Sequence, residues 1–116
     1  MESKERSGIA EKVNSQFSFW KGHYKKSPGI TDESVARNAL RQTLHRRGLD
    51  AIGVKSGDLD STTSEQVARE LIQVAGSGLG DIIRAFNRGD LLERADYSDP
   101  RAQRIIVAAR KILGGR

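Results

Sequence analysis

The amino-acid sequence predicts an all-α fold, a compact bundle of five or six short helices in a single domain. Apolar residues recur three and four positions apart through most of the chain, which is the spacing of one face of a helix. Polar capping residues and glycines bound each of these segments. A chain of 116 residues is long enough to bury one hydrophobic core but offers no sign of a second.

The first predicted helix follows a polar start. Residues 1–7 show no apolar spacing, so we expect a disordered N-terminal tail over 1–7 and a helical domain over 8–114, with Ser7 as the cap. The apolar stripe of this helix consists of Ile9, Val13, Phe17, Trp20 and Tyr24. Gly22 lowers the helix propensity of the far end.

A turn at Ser27-Pro28-Gly29 separates the first helix from the second. Thr31 is the expected cap, and Asp32 and Glu33 lie where they complement the helix dipole. We expect this helix to run close to residues 32–47, with Gly48 as the residue that stops it. Its inward face is predicted to comprise Val35, Ala36, Ala39, Leu40, Thr43 and Leu44.

The middle of the chain predicts a connector and two more helices. Residues 49–61 combine a few apolar positions with turn formers, typical of a connector docked on the core. Thr62 and Glu65 match a capping box that opens a third helix. Its stripe is Val67, Leu71, Val74 and Ala75, and the fourth helix, which ends at Gly89, has Leu79, Ile82, Ile83 and Phe86 at helical spacing.

Two capped segments complete the chain. Asp90 is the expected cap of one or two helical turns with Leu91, Leu92 and Ala95. Asp99-Pro100 is a cap followed by a first-turn proline and predicts a last helix that ends at Gly114-Gly115. The inward residues of that helix are expected to be Ala102, Ile105, Ile106, Ala109, Ile112 and Leu113.

The composition argues against several classes of protein. The chain has no cysteine, which excludes disulfides and thiolate chemistry. His23 and His45 are the only histidines and have no partners at metal-ligand spacing, so we expect no metal site, no cofactor and no catalytic residues. The N-terminus has no apolar run and no segment is apolar enough to span a membrane, so we expect a cytoplasmic protein that is not an enzyme.

Positive charge is concentrated in one stretch. Residues 20–47 contain seven fixed cations and two carboxylates, a net charge of +5, which equals the net charge of the whole chain. The sequence pI is about 9.9. A localised basic segment favours a polyanionic partner, with nucleic acid first and an acidic protein or an anionic membrane surface after it. The membrane is the weakest of these, because the basic helix lacks bulky apolar residues beyond those that the core needs.

The candidate contacts with phosphate lie on four predicted helices and their flanks. They are Lys21, Lys25, Lys26, Arg37, Arg41, His45, Arg46, Arg47, Arg84, Arg88, Arg101 and Arg104. Arg37, Arg41 and His45 lie four residues apart and form one stripe. A solvated helix face is the ordinary explanation of such a stripe. Because acids are almost absent from this face in the sequence, we favour a polyanion site.

Two further motifs have alternative interpretations. Residues 62–89 resemble a helix-turn-helix, with Arg84 and Arg88 as base or phosphate contacts, but Ile72 lies where a small residue is usual, so a plain helical hairpin is favoured. Phe19 lies opposite the apolar stripe. As an exposed aromatic beside Lys21 it could stack a base or anchor a protein, although one exposed aromatic is ordinary.

These observations lead to one functional expectation and one alternative. We expect a non-enzymatic nucleic-acid-binding protein, DNA before RNA, that acts as a regulator or accessory factor and contacts phosphates through its basic helices. The alternative is a protein-interaction module (an inhibitor, adaptor or chaperone) whose basic face docks on an acidic protein. Either is compatible with a homodimer.

Overall fold

The computed structural model describes residues 2–54 and 61–114, and all regular structure within them is helical. The helices in these two ranges are α1 (Glu2–Lys25), α2 (Asp32–Thr43), α3 (Arg46–Ala51), α4 (Ser61–Ala75), α5 (Ser77–Asn87), α6 (Leu91–Asp96) and α7 (Pro100–Gly114). The radius of gyration is 13.4 Å, as expected for one compact domain of about this length. The all-α bundle predicted from the sequence is confirmed.

The core is built from most of the residues that the spacing predicts, although Leu113 of α7 was expected to face inward and is 47% exposed. Helix α1 packs on α2 and α4, and α4 packs on α7. Val13 and Phe17 of α1 are buried, and Ile9 and Trp20 pack at the edge of the core. The predicted faces of α2, α4, α5 and α7 also supply buried residues, among them Leu40, Leu71, Ile82 and Ile105. No described helix is both long and apolar enough to cross a bilayer.

The predicted caps at Thr31, Asp90 and Asp99 are present. The Thr31 side chain accepts a hydrogen bond from the Ser34 amide, and Asp90 accepts from the Leu92 and Glu93 amides. Asp99 accepts from the Arg101 amide at 2.9 Å. These side chains satisfy amide groups that have no partner inside their helices.

The boundaries of α1 and α4 differ from the prediction. Helix α1 begins at Glu2, ahead of the expected cap Ser7, and its first residues include Glu, Lys and Arg, which are good helix formers. Helix α4 begins at Ser61, so Thr62 lies inside it. Residues 55–60 of the predicted connector and the expected stop Gly115 lie outside the described residues.

The second helix is shorter than predicted. Helix α2 ends at Thr43, and Leu44 and His45 form a turn before α3. Gly48 was expected to stop α2, but it lies buried inside α3. A Cβ at this position would come closer than 3.0 Å to the carbonyl groups of Gln42 and Thr43. The glycine therefore allows the backbone of α3 to lie against the end of α2.

The residues that α6 turns toward the core are not the apolar ones named from its sequence. Leu91 and Leu92 are 81% and 79% exposed, and Ala95 is also exposed. The residues that α6 and its C-cap turn toward the core are Glu93 and Tyr97. Glu93 can be buried because a cation from α2 neutralises it, a contact that local spacing does not reveal.

Candidate nucleic-acid interface

Six of the predicted cationic contacts lie at two neighbouring places. Lys21, Lys25 and Lys26 occupy the last turns of α1 and the residue after it, and all three are exposed. His45, Arg46 and Arg47 form the turn into α3 and its first residues, and they are exposed as well. We call these six residues the basic surface.

A hydrogen bond joins the two parts of the basic surface. The Gln42 side-chain amide donates to the hydroxyl of Tyr24 at 3.0 Å. Tyr24 lies directly before Lys25, and Gln42 lies three residues before His45. The bond therefore holds the end of α1 against the last turn of α2, beside the start of α3.

The cations of the basic surface are not neutralised by the rest of the described structure. No described carboxylate forms an ion pair with Lys21, Lys25, Lys26, Arg46 or Arg47. Arg46 lies near enough to Asp99 to be one of the charges that lower the pKa of that carboxyl. Within the part of the chain that the structure describes, five fixed positive charges thus remain available to a polyanion.

Arg37 and Arg41 have a different environment from the one expected. Arg37 Nη2 lies 2.7 Å from Glu93 Oε1, and Arg41 Nε lies 3.0 Å from Asp96 Oδ2. Both carboxylates belong to α6, which packs beside this part of α2. The expectation that acids are almost absent from this face was wrong, because the acids come from more than fifty residues further along the chain. The stripe therefore contributes ion pairs between helices.

A phenol lies among these charges. Tyr97 is 1% exposed, and burial, with a further contribution from the negative charge of Glu93, raises the pKa of its hydroxyl above the ordinary value for tyrosine. Tyr97 is therefore neutral at physiological pH and packs as a core residue.

The two predicted contacts at the C-terminal end of α5, Arg84 and Arg88, differ in whether an acid pairs with them. Arg84 forms an ion pair with Asp81 one turn earlier in α5. Arg88 caps the C-terminus of α5 and is exposed, without a described carboxylate partner. Residues 62–89 form a helical pair joined by a single glycine, Gly76, at φ 53°. The helical hairpin favoured from the sequence over a helix-turn-helix stays a prediction.

Arg101 of α7 is buried, with 5% of its side chain exposed. Its guanidinium donates to Asp99 Oδ1 and Oδ2 at 3.1 and 2.8 Å, to Asp50 at 2.7 Å and to the Val54 carbonyl at 2.6 Å. The hydrogen bonds from Arg101 lower the pKa of Asp99, and the bond to Asp99 is the largest of the effects that raise the pKa of Arg101. Arg101 therefore joins α7 to α3, and each of its three guanidinium nitrogens donates to protein.

Arg104 lies on the other side of α7. It lines a cleft of about 420 Å³ between α4 and α7, together with Glu65, Val107 and Lys111. Charges of both signs meet in this cleft. The arginines of α2 consequently pair with α6, whereas Arg101 of α7 is buried and Arg104 lines this cleft. The third arginine of α7, Arg110, is exposed and donates to the Asn87 side chain at 3.1 Å.

Aromatic rings adjoin the basic surface, and only Phe19 among them was predicted from the sequence to be a candidate contact. The centroid of Trp20 lies 5.0 Å from that of Phe19, 5.7 Å from that of His23 and 6.3 Å from that of Tyr24. Phe19 and His23 are exposed, and Trp20 and Tyr24 are partly buried. The signal in the sequence was aromatic density, since four of the six Phe, Trp and Tyr residues lie within residues 17–24.

No protein-family model, curated protein or solved structure matches the chain.

Proposed function

We propose that this chain is a non-enzymatic nucleic-acid-binding protein, a regulator or accessory factor that contacts phosphates through the basic surface, with DNA favoured over RNA. The observation that carries the proposal is the Tyr24–Gln42 hydrogen bond. It holds together two groups of exposed cations that have no described ion-pair partner. Lysine and arginine at such a surface offer charge and hydrogen-bond donors to successive phosphates.

Stabilisation of the helix dipole explains the position of only some cations of the basic surface. Lys25 lies in the last turn of α1, where a cation complements the helix dipole. Arg46 and Arg47 lie at the opposite, N-terminal end of α3, whose first turn contains no acid. Cations at that end are unfavourable for the helix. A polyanionic partner accounts for their position.

The basic surface predicts a measurable salt dependence. Each phosphate neutralised on duplex DNA contributes about −0.9 to the slope of log K against log salt. If all five fixed cations contact phosphates, the slope is about −4 to −5. A site of this size gives binding that weakens steeply between low and physiological salt.

Fluorescence anisotropy of labelled duplex DNA over a series of salt concentrations tests the proposal. The double variant Lys25→Glu/Lys26→Glu should bind more weakly and reduce the steepness of the slope by about 2, one unit for each lost phosphate contact. The matched control is Lys12→Glu/Lys111→Glu. It changes the net charge by the same amount at two exposed lysines outside the basic surface and should retain the slope.

Two results would contradict the proposal. One is the absence of salt-dependent binding to duplex DNA, single-stranded DNA and duplex RNA. The other is an equal loss of binding in the two double variants, which would show that only net charge matters.

A second candidate function is docking on an acidic protein, and the exposure of Leu91 and Leu92 favours it. Protein interfaces depend on apolar anchors as well as on charge. Binding to such a partner should therefore fall in Leu91→Ala/Leu92→Ala as well as in Lys25→Glu/Lys26→Glu. Binding to nucleic acid should respond only to the lysine variant.

A further inference from the structure

Phe19 presents an aromatic ring to solvent at the edge of the basic surface. Its side chain is 63% exposed. The ring meets that of Trp20 edge to face, at an interplanar angle of 84°, and Trp20 packs against the core. The orientation of the Phe19 ring is therefore supported by a partly buried neighbour, and little ordering is needed before a planar partner can contact it.

The helix surface around Phe19 is open. Residues four before and three after it are Ser15 and Gly22, which are small and exposed and share its side of the helix. A Cβ added at Gly22 would meet no atom within 4 Å. A flat group can therefore approach Phe19 without displacing a side chain at either of these positions.

Positive charge lies along the same side. His23 and Lys26 follow Phe19 by four and seven residues, so the three lie on one stripe of α1 and its immediate continuation. All three are exposed. An aromatic ring followed along one stripe by an imidazole and the fixed cation Lys26 matches a polymer that alternates flat bases with phosphates.

We infer that the basic surface is a site for single-stranded nucleic acid in which a base stacks on Phe19 while Lys26 and its neighbours contact the adjoining phosphates. This inference rests on the proposed function and names its substrate class. Bases inside a duplex are covered on both faces by their neighbours, whereas single strands offer unstacked faces. The chemistry of stacking applies to DNA and RNA alike.

The inference predicts a preference that charge alone does not produce. Stacking of one base on an aromatic side chain is worth about 1–3 kcal/mol by alanine substitution, which corresponds to about 5- to 150-fold in affinity. Phe19→Ala should weaken binding to a single strand by that factor and leave duplex binding within about twofold.

The experiment compares labelled single-stranded DNA, single-stranded RNA and duplex DNA of one length, about 16 nucleotides, by anisotropy with the full chain. Phe19→Trp should retain single-strand affinity, since it keeps an aromatic face. Phe19→Leu should lose it, since it keeps only apolar area. Leu92→Ala, which shortens another exposed apolar side chain, is the matched control and should bind as the unaltered protein does.

Tryptophan fluorescence provides an independent reading. Trp20 is the only tryptophan in the chain and its ring centroid lies 5.0 Å from that of Phe19. A base stacked on Phe19 should change Trp20 emission when a single strand is added, and this change should be absent in Phe19→Ala. Thermal unfolding of Phe19→Ala should match that of the unaltered protein because the side chain is exposed.

The outcomes separate the inference from the proposed function. Equal binding of single strands and duplex, with Phe19→Ala unchanged for both, would overturn the inference and leave phosphate binding intact. Full affinity in Phe19→Leu would also overturn it, because the contact would then be apolar. No binding to any of the three nucleic acids would overturn the proposed function itself.

Discussion

Arg37 Nη2 lies 2.7 Å from Glu93 Oε1, which joins α2 to α6 across 56 residues of sequence. The Glu93 side chain is 7% exposed and that of Arg37 is 44% exposed. A buried carboxylate remains charged only when a partner compensates its lost hydration. Arg37 therefore stabilises the packing of α6, and this role competes with any contact to an external phosphate.

Replacing Arg37 by alanine should destabilise the protein and leave nucleic-acid binding unchanged. The expected loss in the free energy of unfolding is about 2 kcal/mol, less than for a fully buried pair because Arg37 is half exposed. Urea unfolding measures it. Arg47→Ala is the control. Because Arg47 has no described ion pair, the free energy of unfolding of this variant should change by less than about 0.5 kcal/mol. A stable Arg37→Ala protein with a shallower salt slope would place Arg37 in the interface instead.

Replacing each of two glycines by alanine should change the stability of the protein in opposite directions. Gly48 lies against the carbonyl groups of Gln42 and Thr43, and an added Cβ would come closer than 3.0 Å to both. Gly48→Ala should cost about 3 kcal/mol, because backbone atoms must move. Gly22 lies in the interior of α1 with open space around it, so Gly22→Ala should stabilise by roughly 1 kcal/mol through helix propensity. Thermal unfolding of the two variants measures both changes in stability. A change of the same sign in both would contradict the close contact between α3 and the end of α2.

Local chemistry was sufficient to predict most of the helices. The caps at Thr31, Asp90 and Asp99 act through amides two or three residues away, so a short stretch of sequence contains the whole interaction. The apolar stripes are equally local. The end of α2 could not be predicted in this way. Gly48 was expected to stop α2 through its conformational freedom, but a glycine is needed there because α3 lies against the end of α2.

The candidate site was predictable only in part, for a related reason. Charge density along the sequence located Lys25, Lys26, Arg46 and Arg47, which are exposed as expected. It could not show which arginines are used within the protein, since Glu93 and Asp96 lie on a distant segment. The same ion pairs explain why α6 turns Glu93 inward and leaves its leucines outside.

The orientation of α6 can be tested with leucine truncations. Leu91→Ala/Leu92→Ala should change the free energy of unfolding by less than about 0.5 kcal/mol per residue, since both side chains are largely in solvent. Leu79 is fully buried, so Leu79→Ala should cost about 2–5 kcal/mol. Chemical denaturation of the three proteins gives both values. A large loss in the α6 variant would mean that its leucines pack in the core.

The ion pair between Asp99 and Arg101 should make stability depend on pH at the acidic end. The hydrogen bonds from Arg101 lower the pKa of Asp99 in the folded protein below its value in the unfolded chain. As pH falls, the unfolded chain takes up the proton first, so the contribution of Asp99 is present above about pH 4 and is lost as pH falls through its folded pKa. Asp99→Asn removes the charge but keeps a good helix cap. It should cost about 2 kcal/mol near neutral pH, the scale of a hydrogen bond to a charged partner.

The free energies of unfolding of Asp99→Asn and of the unaltered protein, measured in urea, should therefore approach each other as the pH is lowered from about 7 to about 3. The matched control is Asp99→Asn made in the Arg101→Met protein, in which Asp99 has lost its main partner. There the substitution should change the free energy of unfolding by less, and the change should depend less on pH. Parallel stability curves down to about pH 3 in the presence of Arg101 would contradict the prediction. Such curves would mean that Arg101 holds α7 on α3 through Asp50 and the Val54 carbonyl, with no net contribution from the charge of Asp99.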